Sequence, residues 1–135
     1  YLTQINLPYP MRLAWDKKTS VTKMRVHKKV AQDFTNVFNE LLAVYGLAKI
    51  QELGIDLFGG CFNFRAMRGG SDYSGHSWGI AIDLDPSRNQ LHTPYSKALF
   101  SKPQYAELHR IFEKHGFVNL GKVKGYDAMH FEIGK

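Results

Sequence analysis

The chain of 135 residues is poor in cysteine and contains only Cys61. An internal disulfide is therefore impossible, and a zinc module built on several cysteines is excluded. A lone cysteine within an apolar stretch is typical of an inert core residue rather than of a nucleophile. At this length one domain, spanning residues 1–135, can bury a hydrophobic core without a covalent cross-link.

Long apolar runs are also lacking. No stretch approaches the roughly 20 residues that a membrane-spanning helix needs. The start of the chain shows no secretory signal pattern either. We therefore expect a domain without a transmembrane segment, and we take a monomer as the default state. The sequence leaves open whether a further domain precedes it.

Acidic residues are outnumbered, with 12 Asp and Glu against 18 Lys and Arg, which gives a net charge of +6. Such a charge attracts polyanions, so nucleic acids, anionic cell-wall polymers and lipid headgroups are all candidate partners, besides a merely solvated basic face. No nucleic-acid recognition motif accompanies the charge, and we expect no nucleic-acid partner. Much of the basic excess lies near the start, in Lys17, Lys18, Lys23, Arg25, Lys28 and Lys29.

The hydrophobic spacing predicts an α+β fold, in which a small antiparallel sheet packs against two or three helices. Residues 1–26 are polar and contain Pro8 and Pro10, and we predict an irregular lead-in there. Apolar residues spaced by three and four predict helices. These cover about 29–45, 47–53 and 103–115. Short strands are predicted over about 57–65, 79–84, 117–118 and 129–133.

One acidic residue, Asp83, interrupts the apolar strand that runs from Gly79 to Leu84. An unpaired carboxylate would be costly to bury there. A metal cation would remove this cost, and so would an arginine partner or a turn that the carboxylate caps. The residues on the same strand face as Asp83 are small, which leaves room for an ion or a substrate.

Two histidines stand at the ends of predicted strands, each with a carboxylate at a short offset. They are His76, seven residues before Asp83, and His130, three residues after Asp127. Two histidines and one carboxylate leave one position of a tetrahedral zinc ion open for water. A second carboxylate beside such a site is typical of a hydrolase. The ligand types alone do not distinguish zinc from another divalent ion.

Three segments carry a resemblance to a known family. They are Ser74-x-His76-x-x-Gly79-x-Ala81-x-Asp83, Asp127-x-x-His130 and the arginine-bearing stretch 61–70. Together they resemble the zinc peptidases that cut the peptides of bacterial peptidoglycan, the D-alanyl-D-alanine carboxypeptidase and L-alanyl-D-glutamate endopeptidase family. Many phage endolysins belong to this family, and the resemblance covers roughly residues 57–134.

The resemblance implies one zinc ion as cofactor, with His76, Asp83 and His130 as its ligands. It implies that Asp127 is the general base, which takes a proton from the attacking water and passes it to the leaving amine. It further implies that Arg65 binds a substrate carboxylate or the developing oxyanion, for which a guanidinium fork is suited. A salt bridge is the alternative role of Arg65.

Three further residues are candidates for contact with the substrate. Arg68 is a second candidate for the binding arginine. Ser74 and Trp78 flank the first histidine, where Ser74 could donate a hydrogen bond near the site and Trp78 could line the cleft or lie in the core. The loop between Arg65 and His76 is shorter than in family members with an insertion there, so the arginine is carried over with less support than the ligands.

The predicted function is a zinc-dependent peptidoglycan peptidase, acting on the bacterial cell wall in the periplasm or outside the cell. The basic charge favours an L-alanyl-D-glutamate endopeptidase of the endolysin type, because wall polymers are anionic. A D-alanyl-D-alanine carboxypeptidase is the alternative within the same family. A catalytically silent, zinc-containing wall-binding module is the alternative of another class, but it would not need Asp127.

Overall fold

The computed structural model describes residues 2–60 and 81–133. Within these ranges the chain forms six strands and four α-helices, so the predicted α+β class is confirmed. The strands are β1 (Leu2–Leu13), β2 (Asp16–His27), β3 (Leu57–Gly60), β4 (Ala81–Leu84), β5 (Phe117–Asn119) and β6 (His130–Ile133). The helices are α1 (Ala31–Tyr45), α2 (Leu47–Leu53), α3 (Ala106–Lys114) and α4 (Leu120–Lys124).

The six strands form one sheet in the order β2-β1-β3-β4-β6-β5. The sheet is larger than predicted, and it is mixed rather than purely antiparallel, because β1 and β3 run parallel. Parallel neighbours need a long crossover connection. Strand β2 and helices α1 and α2 supply it, since all three lie between β1 and β3 in the sequence.

The prediction of an irregular lead-in over residues 1–26 is wrong, because β1 and β2 form a long antiparallel hairpin there. In β1 every second residue is buried, as in a strand with one face on the core. The buried residues are Ile5, Leu7, Tyr9 and Met11. The two prolines do not break the hairpin, because they lie where the pairing register shifts, between Asn6 and Met11. Prolines are tolerated in such irregularities of a sheet.

The helices α1 and α3 pack against one face of the sheet. Aromatic rings make this contact: Phe34 of α1 lies 4.8 Å from Phe117 of β5, and Phe112 of α3 stacks on Phe131 of β6 at 4.2 Å between ring centroids. Ile82 of β4 pairs with Phe131 and is also fully buried. Because side chains alternate along a strand, the residues next to Ile82 and Phe131 point to the opposite face.

Candidate active site

Strands β4 and β6 bring Asp83 and His130 together, although 47 residues separate them in the sequence. The two residues are register partners in the antiparallel pair. The Oδ1 atom of Asp83 lies 3.2 Å from the Nδ1 atom of His130, and both residues are about 6% exposed. Two of the predicted ligands therefore lie side by side, on the sheet face opposite the helices, and their role as ligands stays a prediction.

The ring of His130 lies in an acidic environment. Burial lowers the pKa of His130, but contacts with Asp83 and Glu132 and the charges of Asp83 and Asp127 outweigh burial and raise the pKa to about 9. Carboxylate groups thus lie close to both nitrogens of the ring. A set of groups that stabilises a buried positive charge is also suited to a metal cation.

Asp127 lies in the turn that leads into β6 and is 8% exposed. Its backbone is left-handed, with φ of 66°, and its carbonyl oxygen accepts a hydrogen bond of 3.2 Å from the backbone N–H of His130. Asp and Asn adopt this conformation more readily than most residues. The turn brings the Asp127 carboxylate close enough for its charge to raise the pKa of His130.

Helix α4 and its flanking residues hold this turn in place. The side-chain amide of Asn119 donates a hydrogen bond of 2.7 Å to the carbonyl oxygen of Ala128. Gly121 approaches Ala128 so closely that an added Cβ would lie 2.8 Å from the Ala128 Cβ. The backbone N–H of Tyr95 donates to the carbonyl oxygen of Gly125 at 2.7 Å. The position of Asp127 is therefore set by packing on both sides of the turn.

The geometry of Asp83 and His130 fits a zinc site. Two ligand atoms at about 2.0–2.1 Å from a tetrahedral zinc ion lie roughly 3.3 Å apart. The observed separation of 3.2 Å between Oδ1 and Nδ1 agrees with that value. Within residues 2–60 and 81–133, no three or more His, Cys, Asp or Glu side chains are arranged so that together they could hold a metal ion. The described part of the site thus holds two of the three predicted ligands.

The remaining predicted site residues lie outside the described residues, in the segment 61–80. They are the third ligand His76 and the substrate candidates Arg65, Arg68, Ser74 and Trp78. Their roles stay predictions.

Glu132 is a site residue to which the sequence motifs assigned no role. Its Oε1 atom lies 2.9 Å from the Nε2 atom of His130, on the opposite edge of the ring from Asp83. The signal was present in the sequence, because residues two apart on a strand share one face. A glutamate two positions after a candidate ligand was therefore a candidate for contact with that ligand.

Comparison with known proteins shows a similarity to a family of peptidases. Residues 68–133 match the family model described as D-alanyl-D-alanine carboxypeptidase. This segment contains the three predicted metal ligands and Asp127. The predicted resemblance to this peptidase family is therefore confirmed over residues 68–133, and the match supports a peptidase that acts on peptidoglycan.

Neither the curated proteins nor the solved structures yielded a match to the chain. Among the described residues, no helix combines the length and the apolar character needed to cross a membrane.

Proposed function

We propose that this protein is a zinc-dependent peptidase that cleaves the stem peptide of peptidoglycan between L-alanine and D-glutamate. The observation that carries the proposal is the buried pair of Asp83 and His130, whose facing atoms have the separation expected of two ligands on one zinc ion. Both residues lie in the segment that matches the peptidase family.

In this proposal His76, Asp83 and His130 hold one zinc ion. Bound there, zinc supplies Lewis-acid polarisation of the scissile carbonyl and lowers the pKa of the attacking water. The chain's own residues orient the groups around the ion. Pairing between β4 and β6 fixes the Asp83 carboxylate and the His130 ring on rigid strands, so little reorganisation is needed during the reaction.

Asp127 is the proposed general base. Its carboxylate accepts a proton from the attacking water, and it then donates that proton to the nitrogen of the leaving amine as the peptide bond breaks. The left-handed turn at Asp127 supports this role, because it holds a nearly buried carboxylate beside His130 without placing it in the strand. A wall-binding module without catalysis would not need this carboxylate.

The substrate side of the site is proposed from the sequence. Arg65 is the first candidate to bind a substrate carboxylate or the oxyanion, and Arg68 is the second. Ser74 and Trp78 would contact the substrate beside His76.

The choice of an endopeptidase of the endolysin type rests on charge. Lys17, Lys18, Lys23 and Arg25 are exposed on β2, which is an edge strand of the sheet. Exposed basic residues attract anionic wall polymers and would raise the local concentration of the enzyme at its substrate. The site of action would then be the bacterial cell wall, in the periplasm or outside the cell, with the enzyme as a monomer.

A D-alanyl-D-alanine carboxypeptidase is the second candidate, and the description of the matching family model favours it. Both candidates use the same proposed zinc site and differ in the bond that is cut. The decision therefore depends on the products rather than on the metal chemistry.

Digestion of purified peptidoglycan, followed by mass spectrometry of the soluble products, tests the proposal. An endopeptidase releases peptides with a new N-terminal D-glutamate and leaves L-alanine on the glycan, whereas free D-alanine as the sole small product would identify the carboxypeptidase. Sedimentation with intact wall material, without any released product, would identify a binding module. Each result excludes the other two.

A further inference from the structure

We propose that Glu132 is a positioning residue that orients the ring of His130, so that the Nδ1 atom of His130 is the one that binds the metal. The inference rests on the proposed function, because it takes His130 as a zinc ligand. It goes beyond that function by naming the coordinating atom and the residue that selects it.

The geometry places a carboxylate at each nitrogen of the same ring. Asp83 Oδ1 lies 3.2 Å from Nδ1, and Glu132 Oε1 lies 2.9 Å from Nε2. The first contact crosses from β4 to β6, and the second stays within β6. The strand partner of Glu132 is Ala81, whose small side chain leaves space on this face for the longer glutamate.

Exposure differs between the two edges of the ring. The His130 side chain is 7% exposed and the Asp83 side chain is 8% exposed, whereas the Glu132 side chain is 35% exposed. The Nδ1 edge therefore faces the enclosed part of the site, and the Nε2 edge faces a carboxylate at its rim. An ion held by Asp83 can be reached by Nδ1 without any rotation of the ring.

The chemistry of imidazole then determines which of the two ring nitrogens of His130 binds the metal. A neutral ring has one nitrogen that carries a proton and one that can bind a metal. Histidines that bind metals usually donate the remaining N–H to a carboxylate or a carbonyl group, and this contact fixes the tautomer and the ring orientation. With Glu132 accepting a proton from Nε2, the electron pair that binds the metal would belong to Nδ1, the nitrogen that faces Asp83.

Two substitutions separate the role of Glu132 from a general effect on the fold. Glu132→Ala removes the acceptor, whereas Glu132→Gln keeps an oxygen that can accept the Nε2 proton. The matched control is Val118→Thr, since Val118 is the β5 partner of Glu132 and is exposed. Glu132 and Val118 are both at least partly exposed, and they lie on the same face of the sheet.

Zinc affinity, measured by competition with a chromophoric chelator, is the first readout. We expect Glu132→Ala to bind zinc about 10–100-fold more weakly, the range typical when the hydrogen-bond partner of a metal ligand is removed. Glu132→Gln should recover most of this loss, and Val118→Thr should match the wild type. Circular dichroism of the metal-free variants verifies that each is folded.

Nuclear magnetic resonance of the zinc-loaded protein labelled with 15N-histidine is the second readout. The wild type should show the metal on Nδ1 of His130 and a slowly exchanging proton on Nε2, and in Glu132→Ala this proton should exchange faster. Equal zinc affinity of the wild type and Glu132→Ala, or metal on Nε2, would overturn the inference while leaving the proposed function intact. No zinc binding by the wild type would overturn both.

Discussion

The side-chain amide of Asn119 donates a buried hydrogen bond of 2.7 Å to the carbonyl oxygen of Ala128, the residue that follows Asp127. The Oδ1 atom of the same side chain accepts from the backbone N–H of Lys122 and so caps helix α4. One side chain thus joins the start of α4 to the turn that carries the proposed base.

We expect Asn119→Ala to destabilise the domain by roughly 2–4 kcal/mol. A buried carbonyl group left without its donor costs about 1–3 kcal/mol, and a lost N-cap about 1 kcal/mol. Wall hydrolysis should fall as well, because Asp127 loses its support. Urea denaturation and a hydrolysis assay measure both effects. Lys124→Ala, an exposed change on the same helix, should alter neither stability nor hydrolysis. If Asn119→Ala is destabilised but hydrolyses the wall normally, the contact between Asn119 and Ala128 does not support the site.

The proposed base is best tested with Asp127→Asn. Asparagine adopts the left-handed backbone of this position as readily as aspartate does, so the turn should persist. The amide cannot accept the proton of the attacking water, and we expect hydrolysis to fall about 10²–10⁴-fold, the usual contribution of general acid–base catalysis. Zinc affinity should stay close to that of the wild type. Near-normal hydrolysis with zinc bound would exclude Asp127 as the base.

Strong periodicity made several elements predictable. The buried residues of α1 are Phe34, Val37, Phe38 and Leu41, and their spacing by three and four indicates a helix whatever the rest of the fold. The glycines that end α1 and α2, Gly46 and Gly54, have positive φ. A carboxylate within an apolar strand needs a partner, so a partner for Asp83 was predictable, and the family resemblance named His130 as a residue of the same site.

Other features depend on distant partners and could not be deduced locally. Residues 1–26 were predicted to be irregular because Pro8 and Pro10 disfavour a strand, yet the partner strand accommodates both in a register shift. The parallel pairing of β1 with β3 likewise depends on where the helices return the chain. Helix α4 has only five residues, too few for an apolar period to be recognised.

Metal removal tests the cofactor directly. We expect thorough treatment with a chelator to abolish wall hydrolysis, and added zinc to restore it, because the facing atoms of Asp83 and His130 have the separation of zinc ligands. His130→Ala should bind zinc far more weakly. His115→Ala changes a histidine at the end of α3 that contacts Glu40 of α1, and this variant should bind zinc normally. Activity that survives complete chelation would remove the metal from the mechanism.

A buried histidine away from the site makes stability depend on pH. Burial lowers the pKa of His109, whose Nε2 lies 2.8 Å from the carbonyl oxygen of Phe100. The unfolded chain therefore takes up a proton at higher pH than the folded chain does. The stability that neutral His109 contributes is complete above a pH of about 6.5 and is lost as the pH falls below that value.

We expect His109→Gln to lose less stability than the wild type between pH 7.5 and about 5.5, since glutamine does not titrate. Thermal denaturation midpoints across this range measure the difference in slope. His92→Gln is the matched control, because His92 is exposed. Parallel slopes for the wild type and His109→Gln would refute the assignment of this titration to His109.

The ion pair of Arg12 and Asp56 links the first strand of the hairpin to the residue before β3. Arg12 donates two hydrogen bonds, of 2.7 and 2.8 Å, to a carboxylate that is fully buried. Arg12→Met keeps much of the side-chain volume but leaves this carboxylate without the guanidinium. We expect the free energy of unfolding to fall by about 3 kcal/mol. This value is at the low end for a broken buried ion pair, because Arg12 is partly exposed. Lys49→Met breaks the exposed pair with Glu52 and should cost less than about 1 kcal/mol. Urea denaturation of both variants measures the contrast, and equal losses would show that burial of Asp56 does not determine the strength of its pair.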